Sequence, residues 1–425
     1  MLTSSTSRPA WWLEPIRLIL FVVLPIFLAM ATYGPSGFLY FGNSVNNIDS
    51  YTIGLGVASI LAFSAGALAV TLFTKPSSSE RTGIDLARGT NVLRVIGVVA
   101  IVAHLILLGP LISEPDIIVD LFSGSASAIY QVRETWAKIP GITSFTQVGV
   151  VFASVFAALR IDPDYRMPMD VRIIFLGVAG CVLFRALVGA ERLALIEFAI
   201  PLFLASLAFR WRPSLLRTLT PLWAIIGLCI IFSFAEFFRS WQYYKHLGYE
   251  SYLSFGLLRL FGYISTSINN AAGILLHFDP IGHPAFTVNW FYKFPLWPLL
   301  GIEIGQTVTI VDQYLLRFAS PEFNNVSGLY LPFIDYGLSL GLLFMAAVGA
   351  LSETLYQRFV QRHPIGLIIY PTWYVGILDL VRLFYWGEPR YFPVFVSALF
   401  VAWYLRMDTH KQRSGLARTR LMRRI

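Results

Sequence analysis

The chain of 425 residues is strongly apolar: hydrophobic residues make up 56% of it, charged residues only 13%, and its mean hydropathy is +0.66. A soluble domain has about 25% charged residues, so this composition excludes a cytosolic enzyme and a disordered chain. The net charge of +8 does not indicate a nucleic-acid partner, because the basic residues follow a membrane topology.

Apolar segments long enough to cross a bilayer as helices recur along the chain. They predict an all-α, polytopic membrane protein of about ten transmembrane helices, forming a single integral membrane domain over residues 1–425. The predicted spans are 16–33, 53–73, 92–112, 142–159, 171–188, 193–209, 219–238, 329–351, 365–386 and 391–405.

The positions of the lysines and arginines predict how the chain is oriented across the membrane. Most of the 32 basic residues fall in segments that share one side of the membrane, including the basic tail 406–425. Because cytoplasmic loops carry the excess of Lys and Arg, this pattern places both termini in the cytoplasm and the tail with them. Membrane lipids are therefore expected as partners.

One connection is unusually long. Residues 239–328 predict a large extracytoplasmic loop between the seventh and eighth spans, and its three tryptophans and many apolar residues indicate folded, partly helical structure. Within it, polar residues form one stripe of a predicted helix, at i, i+4, i+7 and i+11: Arg259, Tyr263, Thr266 and Asn270. The stripe favours a surface facing a polar ligand; the alternative is an interfacial helix lying flat with its polar side in water.

Charged residues also concentrate near the predicted outer ends of the spans. They are Arg185, Glu191, Arg192, Glu236, Arg239, Asp379, Arg382, Glu388 and Arg390. An arginine within a membrane helix costs roughly 2.5–3.5 kcal/mol, so its retention needs a reason. Acids and bases three residues apart pair on one helix face, which allows purely structural ion pairs. Several arginines at one depth instead favour a phosphate site, because each guanidinium can bind two phosphate oxygens.

Two stretches resemble the bacterial O-antigen polymerase (Wzy) family of oligosaccharide repeat unit polymerases. Residues 188–195, VGAERLAL, are similar to the family's turn of small residues and Arg that opens an apolar helix. Residues 325–330, NVSGLY, continuing into 334–338, IDYGL, and Gly349, are similar to its late helix. The resemblance covers most of the chain in topology and about thirty residues in motif.

The resemblance implies a C-type membrane glycosyltransferase fold in the bacterial inner membrane. Donor and acceptor would be glycans linked to undecaprenyl diphosphate, with a chain-length regulator and a flippase as further partners. The sugar–diphosphate bond supplies the energy, so no cofactor is expected, and arginines would replace a metal ion at the leaving diphosphate.

The resemblance also assigns candidate residues. The catalytic candidates are Arg192, Arg239 and Arg259 for the diphosphate, and Glu191, Glu236 and the loop histidines His246, His277 and His283 for the base. The substrate-binding candidates are Arg133, Tyr263, Asn270, Tyr330, Asp335, Arg382 and Arg390.

Three alternatives stay open on the sequence. An O-antigen ligase shares the fold and the diphosphate chemistry and differs in its acceptor. A metal-dependent glycosyltransferase that uses a polyprenyl-phosphate sugar would need Glu114 and Asp116 as ligands. A flippase or other transporter of lipid-linked glycans is expected to show internal repeats and broken helices at mid-membrane depth, and the sequence shows no repeat.

Overall fold

In the computed structural model, the residues described are 10–32, 44–74, 84–122, 128–136, 139, 141–189, 191–209, 214–241, 244–245, 251–294, 297, 300–301 and 308–406. Every regular element in these ranges is helical. The helices are α1 (Pro15–Thr32), α2 (Ser50–Phe73), α3 (Leu86–Ser113), α4 (Pro115–Phe122), α5 (Ala128–Thr135), α6 (Val148–Arg160), α7 (Met169–Val188), α8 (Arg192–Phe209), α9 (Thr220–Glu236), α10 (Tyr252–His277), α11 (Val308–Phe318), α12 (Leu331–Val360), α13 (Pro364–Asp379) and α14 (Tyr391–Arg406).

Shorter helical turns lie between these helices. They are Trp11–Leu13, Thr143–Gln147, Leu215–Thr218, Phe237–Trp241, Asn289–Tyr292 and Tyr385–Gly387. Polar side chains fix where several long helices begin: Asp49 caps α2, Asp85 caps α3 and Ser251 caps α10, each accepting a hydrogen bond from a free backbone N–H of the first turn.

Each of the ten predicted spans overlaps a helix. Seven helices of the described residues are long and apolar enough to cross a membrane, whereas α9 and α14 are shorter apolar helices. The structure thus shows an all-helical protein with several potential membrane spans, and the number ten stays a prediction. The segment predicted as span 365–386 differs most, because α13 ends at Asp379 and a buried 3-10 turn, Tyr385–Gly387, follows.

The most extensive helix packing joins α2 and α12, which run parallel. Two glycines allow the contact: a Cβ added to Gly66 would lie 1.8 Å from the carbonyl oxygen of Ala346, and one added to Gly349 would lie 1.9 Å from that of Phe63. In lipid, helices associate through such small residues, because no hydrophobic effect drives them together.

Contacts between helix ends define two ends of the bundle. At the first, which we call the Arg192 end, α7 and α9 finish and α8 begins, and Arg192 binds Glu236. At the second, the Arg217 end, the backbone carbonyl of Arg217 accepts a hydrogen bond from the Trp12 indole, and Thr74 binds Gln357. Helices α7, α8 and α9 therefore alternate in direction, because Arg217 also bonds Ala208 near the end of α8.

The segment predicted as the long loop contains α10, α11 and the turn Asn289–Tyr292. The predicted helix over residues 251–278 is confirmed, and its polar stripe is its buried side: Arg259, Thr266 and Asn270 are at most 1% exposed. The outward side is apolar and includes Leu253 and Phe261. The polar side of this helix therefore does not face water, which contradicts that part of the alternative.

Candidate functional site

Two arginines from different helices bind one buried carboxylate at the Arg192 end. Glu236, at the last turn of α9, receives Arg192 Nη2 on Oε1 at 2.7 Å, and its Oε2 lies 2.9 Å from Arg259 Nε. Arg259 Nη2 then reaches Glu322 Oε1 at 2.5 Å. We call these four residues the Arg192–Glu322 network. It joins α8, α9 and α10 to the segment that follows α11.

Aromatic rings enclose both guanidinium groups of the network. The guanidinium carbon of Arg192 lies 3.7 Å from the ring centre of Phe232, and that of Arg259 lies 5.0 Å from the ring centre of Phe323. Tyr263 lies within 6 Å of both guanidinium carbons. Such cation–π contacts stabilise a desolvated arginine and hold its plane in a fixed direction.

Burial falls from the centre of the network to its edge. The side chains of Arg259 and Glu236 are 0% and 1% exposed, that of Arg192 is 12% exposed, and that of Glu322 is 34% exposed. The four formal charges cancel, so the network is neutral as it stands. Because Glu322 is the most exposed member, it is the carboxylate that an incoming anion could replace on Arg259.

A second cluster lies near the start of α14. Glu197 of α8 is fully buried, and its carboxylate accepts hydrogen bonds from the Tyr385 hydroxyl at 2.8 Å and from Arg390 Nη2 at 2.7 Å. Arg382 binds Asp379 through two hydrogen bonds, at 2.8 and 2.7 Å, so the predicted pairing of residues three apart is confirmed there. Burial raises the pKa of the nearby Glu388, although the cations around that carboxyl oppose the shift.

Arg185 lies near both clusters. Its guanidinium donates to Glu191 Oε2 at 2.8 Å through Nε and to Thr146 Oγ1 at 2.9 Å through Nη1. Glu191 immediately precedes Arg192 in the chain. A small polar cavity lies behind Arg185, between α3, α7 and α8, and His104 and Glu197 are among the residues that line it.

The other predicted site residues hold the fold in this structure. Asn270 donates to the carbonyls of Phe323 and Asn325 at 2.7 and 2.9 Å, which fixes the segment that carries Glu322. The Tyr330 hydroxyl donates to the carbonyl of Thr52 at 2.9 Å. Contact with a substrate stays a prediction for both residues, and the side chains of Arg133 and Arg239 lie outside the described residues.

Asp335 holds the backbone of residues 286–287. Its carboxylate accepts hydrogen bonds from the Phe286 and Thr287 N–H groups, the latter at 2.8 Å, and from Thr287 Oγ1 at 2.7 Å. The helix kinks directly after this carboxylate, at Gly337, whose φ of 75° favours glycine. The backbone carbonyls of Ile334 and Asp335 also accept hydrogen bonds, from the backbone N–H groups of Ile281 and Gly282.

Replacing Asp335 by asparagine is expected to loosen residues 281–287 and to lower the free energy of unfolding by about 1–3 kcal/mol. The amide group can place an N–H donor against the Phe286 and Thr287 donors, and the charge-assisted bonds are lost. Limited proteolysis of the purified protein, with cleavage sites identified by mass spectrometry, would detect the loosening of residues 281–287. Cleavage between residues 281 and 294 at the wild-type rate would contradict the expectation.

The contacts described for His277 and His283 are with residues outside the Arg192–Glu322 network. The ring of His277 stacks on Phe318 with centroids 4.4 Å apart, and 18 residues of α10 separate it from Arg259, roughly 27 Å of helix. His283 Nδ1 lies 3.2 Å from the carbonyl of Ile281. His246 lies outside the described residues. A role as general base stays a prediction for each of the three.

Three residues of these clusters are missing from the sequence-based candidates: Glu322, Glu197 and His104. Glu322 and Arg259 are 63 residues apart, and Glu197 and Arg390 are 193 apart, so no local spacing reveals either pair. The available signal was a carboxylate and an imidazole within otherwise apolar spans. Such buried ionisable groups within spans indicate a functional site.

Arginines, carboxylates and aromatic rings make up these clusters, a set suited to anions and sugars. Within the described ranges, no three side chains of His, Cys, Asp or Glu lie close enough together to hold a metal ion, and Glu114 and Asp116 flank the start of α4.

Comparisons of the chain with models of known families, with curated proteins and with solved structures found no match. A proposed function therefore rests on the residues and their contacts.

Proposed function

We propose that this protein is a membrane glycosyltransferase that polymerises undecaprenyl-diphosphate-linked oligosaccharide repeat units at the outer face of a bacterial inner membrane. The Arg192 end would be the extracytoplasmic end, because the basic segments and the basic tail belong to the other side. The product would be an O-antigen, a capsule or an exopolysaccharide. The resemblance to the O-antigen polymerases gives the proposal its substrate class.

One observation supports the proposal above the others: Arg192 and Arg259 converge from two helices on the single carboxylate of Glu236. Two guanidinium groups held this close by a shared acid offer a matched set of donors to a diphosphate. Paired phosphates carry several oxygens, and each guanidinium can bind two of them.

The chemistry follows from where charge develops. The bond between the anomeric carbon and the diphosphate oxygen breaks, and the diphosphate leaves with the electron pair. The acceptor hydroxyl oxygen forms the new glycosidic bond and passes its proton to a base. Arg192, at the edge of the network, would stabilise the leaving diphosphate, because preorganised cations act most strongly in a site that excludes water.

Glu236 serves this scheme by positioning the arginines. One of its oxygens lies 2.7 Å from Arg192 Nη2 and the other 2.9 Å from Arg259 Nε, so the carboxylate holds both arginines by ion pairing. Glu322 would leave Arg259 when a diphosphate arrives, because it is the exposed carboxylate of the network. Arg382 and Arg390 would contact the glycan or a second diphosphate from the neighbouring cluster.

Replacing Arg192 by alanine is expected to slow glycosyl transfer by roughly 10²–10³-fold, the usual loss when one such donor is removed. The assay would use purified protein with undecaprenyl-diphosphate-linked repeat units, with and without EDTA, and would size the products on a gel. Wild type is expected to give an EDTA-resistant ladder of multimers. Arg166→Ala is the matched control, since Arg166 is exposed in the turn between α6 and α7 at the Arg217 end.

Other outcomes would point to the alternatives. A single transfer to a different acceptor lipid, without a ladder, would indicate a ligase. Loss of activity in EDTA would indicate a metal-dependent enzyme of the polyprenyl-phosphate-sugar type. Movement of the lipid-linked glycan across a vesicle membrane, with no new glycosidic bond, would indicate a flippase. Each of these results would overturn the polymerase.

A further inference from the structure

The cavity behind Arg185 is polar although apolar spans surround it. Its polar lining residues come from α3, from the turn Thr143–Gln147, from α7 and from α8: His104, Thr146, Gln147, Arg185 and Glu197. It has room for about one water molecule and offers that molecule several hydrogen-bonding partners, which is what a buried water needs. Apolar side chains of α6, α7 and α8 complete its lining.

The geometry fixes the tautomer of the His104 side chain. Nδ1 lies 2.8 Å from the carbonyl oxygen of Ala100, one turn earlier in α3. A carbonyl oxygen only accepts hydrogen bonds, so Nδ1 carries the proton. In the neutral ring Nε2 is then the unprotonated acceptor, so it is the nitrogen to which a proton can add.

The cavity and the Arg192–Glu322 network share α8. Ala194 and Glu197 line the cavity, whereas Arg192 begins the same helix and binds Glu236 on another side. Arg185 lines the cavity on the side of the Arg192 end, where it binds Glu191. The Glu191 side chain is 24% exposed, so the Arg185–Glu191 pair lies between the cavity and the surface.

We propose that His104 Nε2 is the proton acceptor of the transfer reaction, reached from the acceptor hydroxyl through a water held in the cavity lined by His104, Thr146, Gln147, Arg185 and Glu197. This inference rests on the proposed function and supplies the base which that function needs. The acceptor oxygen bonds to the anomeric carbon, its proton passes to the water, and the water passes a proton to Nε2. The imidazolium formed then returns its proton to solvent.

Two charged side chains face the His104 side of the cavity from neighbouring elements: Arg185 on α7 and its partner Glu191, before α8. The positive charge of Arg185 repels a second positive charge on the ring, and the negative charge of Glu191 attracts it. Glu197 on α8 lines the same cavity and is itself paired with Arg390 and Tyr385. Replacing Glu191 by glutamine is therefore expected to move the acidic limb of the rate profile to lower pH.

The decisive variant is His104→Asn. The asparagine amide nitrogen stands where Nδ1 stands, so it can keep the hydrogen bond to Ala100 while Nε2 is lost. The expected result is a kcat lower by about 10²–10⁴-fold, with KM little changed. The wild-type kcat is expected to fall on the acid side as His104 becomes protonated, and the variant is expected to lose this limb. His363→Asn, at the Arg217 end, is the control for losing a histidine.

The outcomes separate this inference from the proposed function. Wild-type transfer with an unaltered kcat and pH profile in His104→Asn would overturn the proton-acceptor role and leave the glycosyltransferase standing. A lower kcat with an unchanged acidic limb would also overturn it, because a structural role for the ring explains that result. Absence of transfer by wild type on a competent substrate would overturn both.

Discussion

Replacing Arg259 by alanine is expected to lower the free energy of unfolding by about 3–5 kcal/mol, the usual cost of removing one partner of a buried ion pair. Arg259 is among the largest fully buried side chains, and it holds Glu236 and Glu322 together. Its loss leaves Glu236 with one guanidinium partner less and opens a cavity between Tyr244, Phe255 and Phe323. Thermal unfolding in detergent, followed by circular dichroism, would measure the change.

The control is Arg166→Ala, which removes the same charge from an exposed site and is expected to change stability by less than about 0.5 kcal/mol. The change in the free energy of unfolding for Arg259→Lys is expected to lie between those for Arg259→Ala and Arg166→Ala. The lysine keeps the charge, but one ammonium group cannot reproduce a fork whose Nε and Nη2 bind different carboxylates. An unfolding midpoint for Arg259→Ala equal to that of the control would show that the network contributes nothing to stability.

The long hydrophobic helices were predictable because lipid imposes a single requirement along the whole of a span. The predicted segment 53–73 and α2, or 171–188 and α7, agree within a few residues. The end of α13 was not predictable in this way. Leu380, Val381 and Phe384 continue the apolar pattern, yet they are buried by the protein itself after the helix has ended.

The candidate site was predictable only where its geometry is local. The Asp379–Arg382 pair lies on one turn, so the spacing of three revealed it. Glu236 and Arg259 could be recognised as costly charges in apolar surroundings, but their bond to each other depends on how α9 packs against α10. The same holds for Glu322, because contacts between residues distant in sequence, among them those of Asn270 with the backbone of Phe323 and Asn325, fix that segment on α10.

The two clusters differ in what they leave for a ligand. In the Arg192–Glu322 network the exposed member is an acid, Glu322, so an anion would have to compete with it. In the second cluster the acid, Glu197, is fully buried and the exposed member is a base, Arg390. An anion can therefore add to Arg390 without displacing a carboxylate. Under the proposed function, a diphosphate would displace Glu322 in the first cluster, whereas a second anionic group would add directly to Arg390.

Replacing Gly66 by alanine is expected to separate α2 from α12 and to lower the free energy of unfolding by about 1–3 kcal/mol, the usual range for overpacking. The added Cβ would lie 1.8 Å from a backbone carbonyl oxygen of Ala346, and backbone atoms cannot rotate away as a side chain can. Helix α12 carries Asp335 near its first turn, so its displacement is also expected to reach the Arg192 end. The unfolding midpoint in detergent, with the rate of glycosyl transfer, would measure both effects.

The same helix supplies a matched control for this substitution. Gly54 also lies in α2, but a Cβ added there meets no atom within 4 Å. Gly54→Ala is therefore expected to leave the packing unchanged and to gain up to about 1 kcal/mol from the greater helix propensity of alanine. If Gly66→Ala lowers the free energy of unfolding and Gly54→Ala raises it, then the close approach of α2 to α12, and not helix propensity, determines the loss of stability in Gly66→Ala. Equal midpoints for Gly66→Ala and Gly54→Ala would contradict this packing.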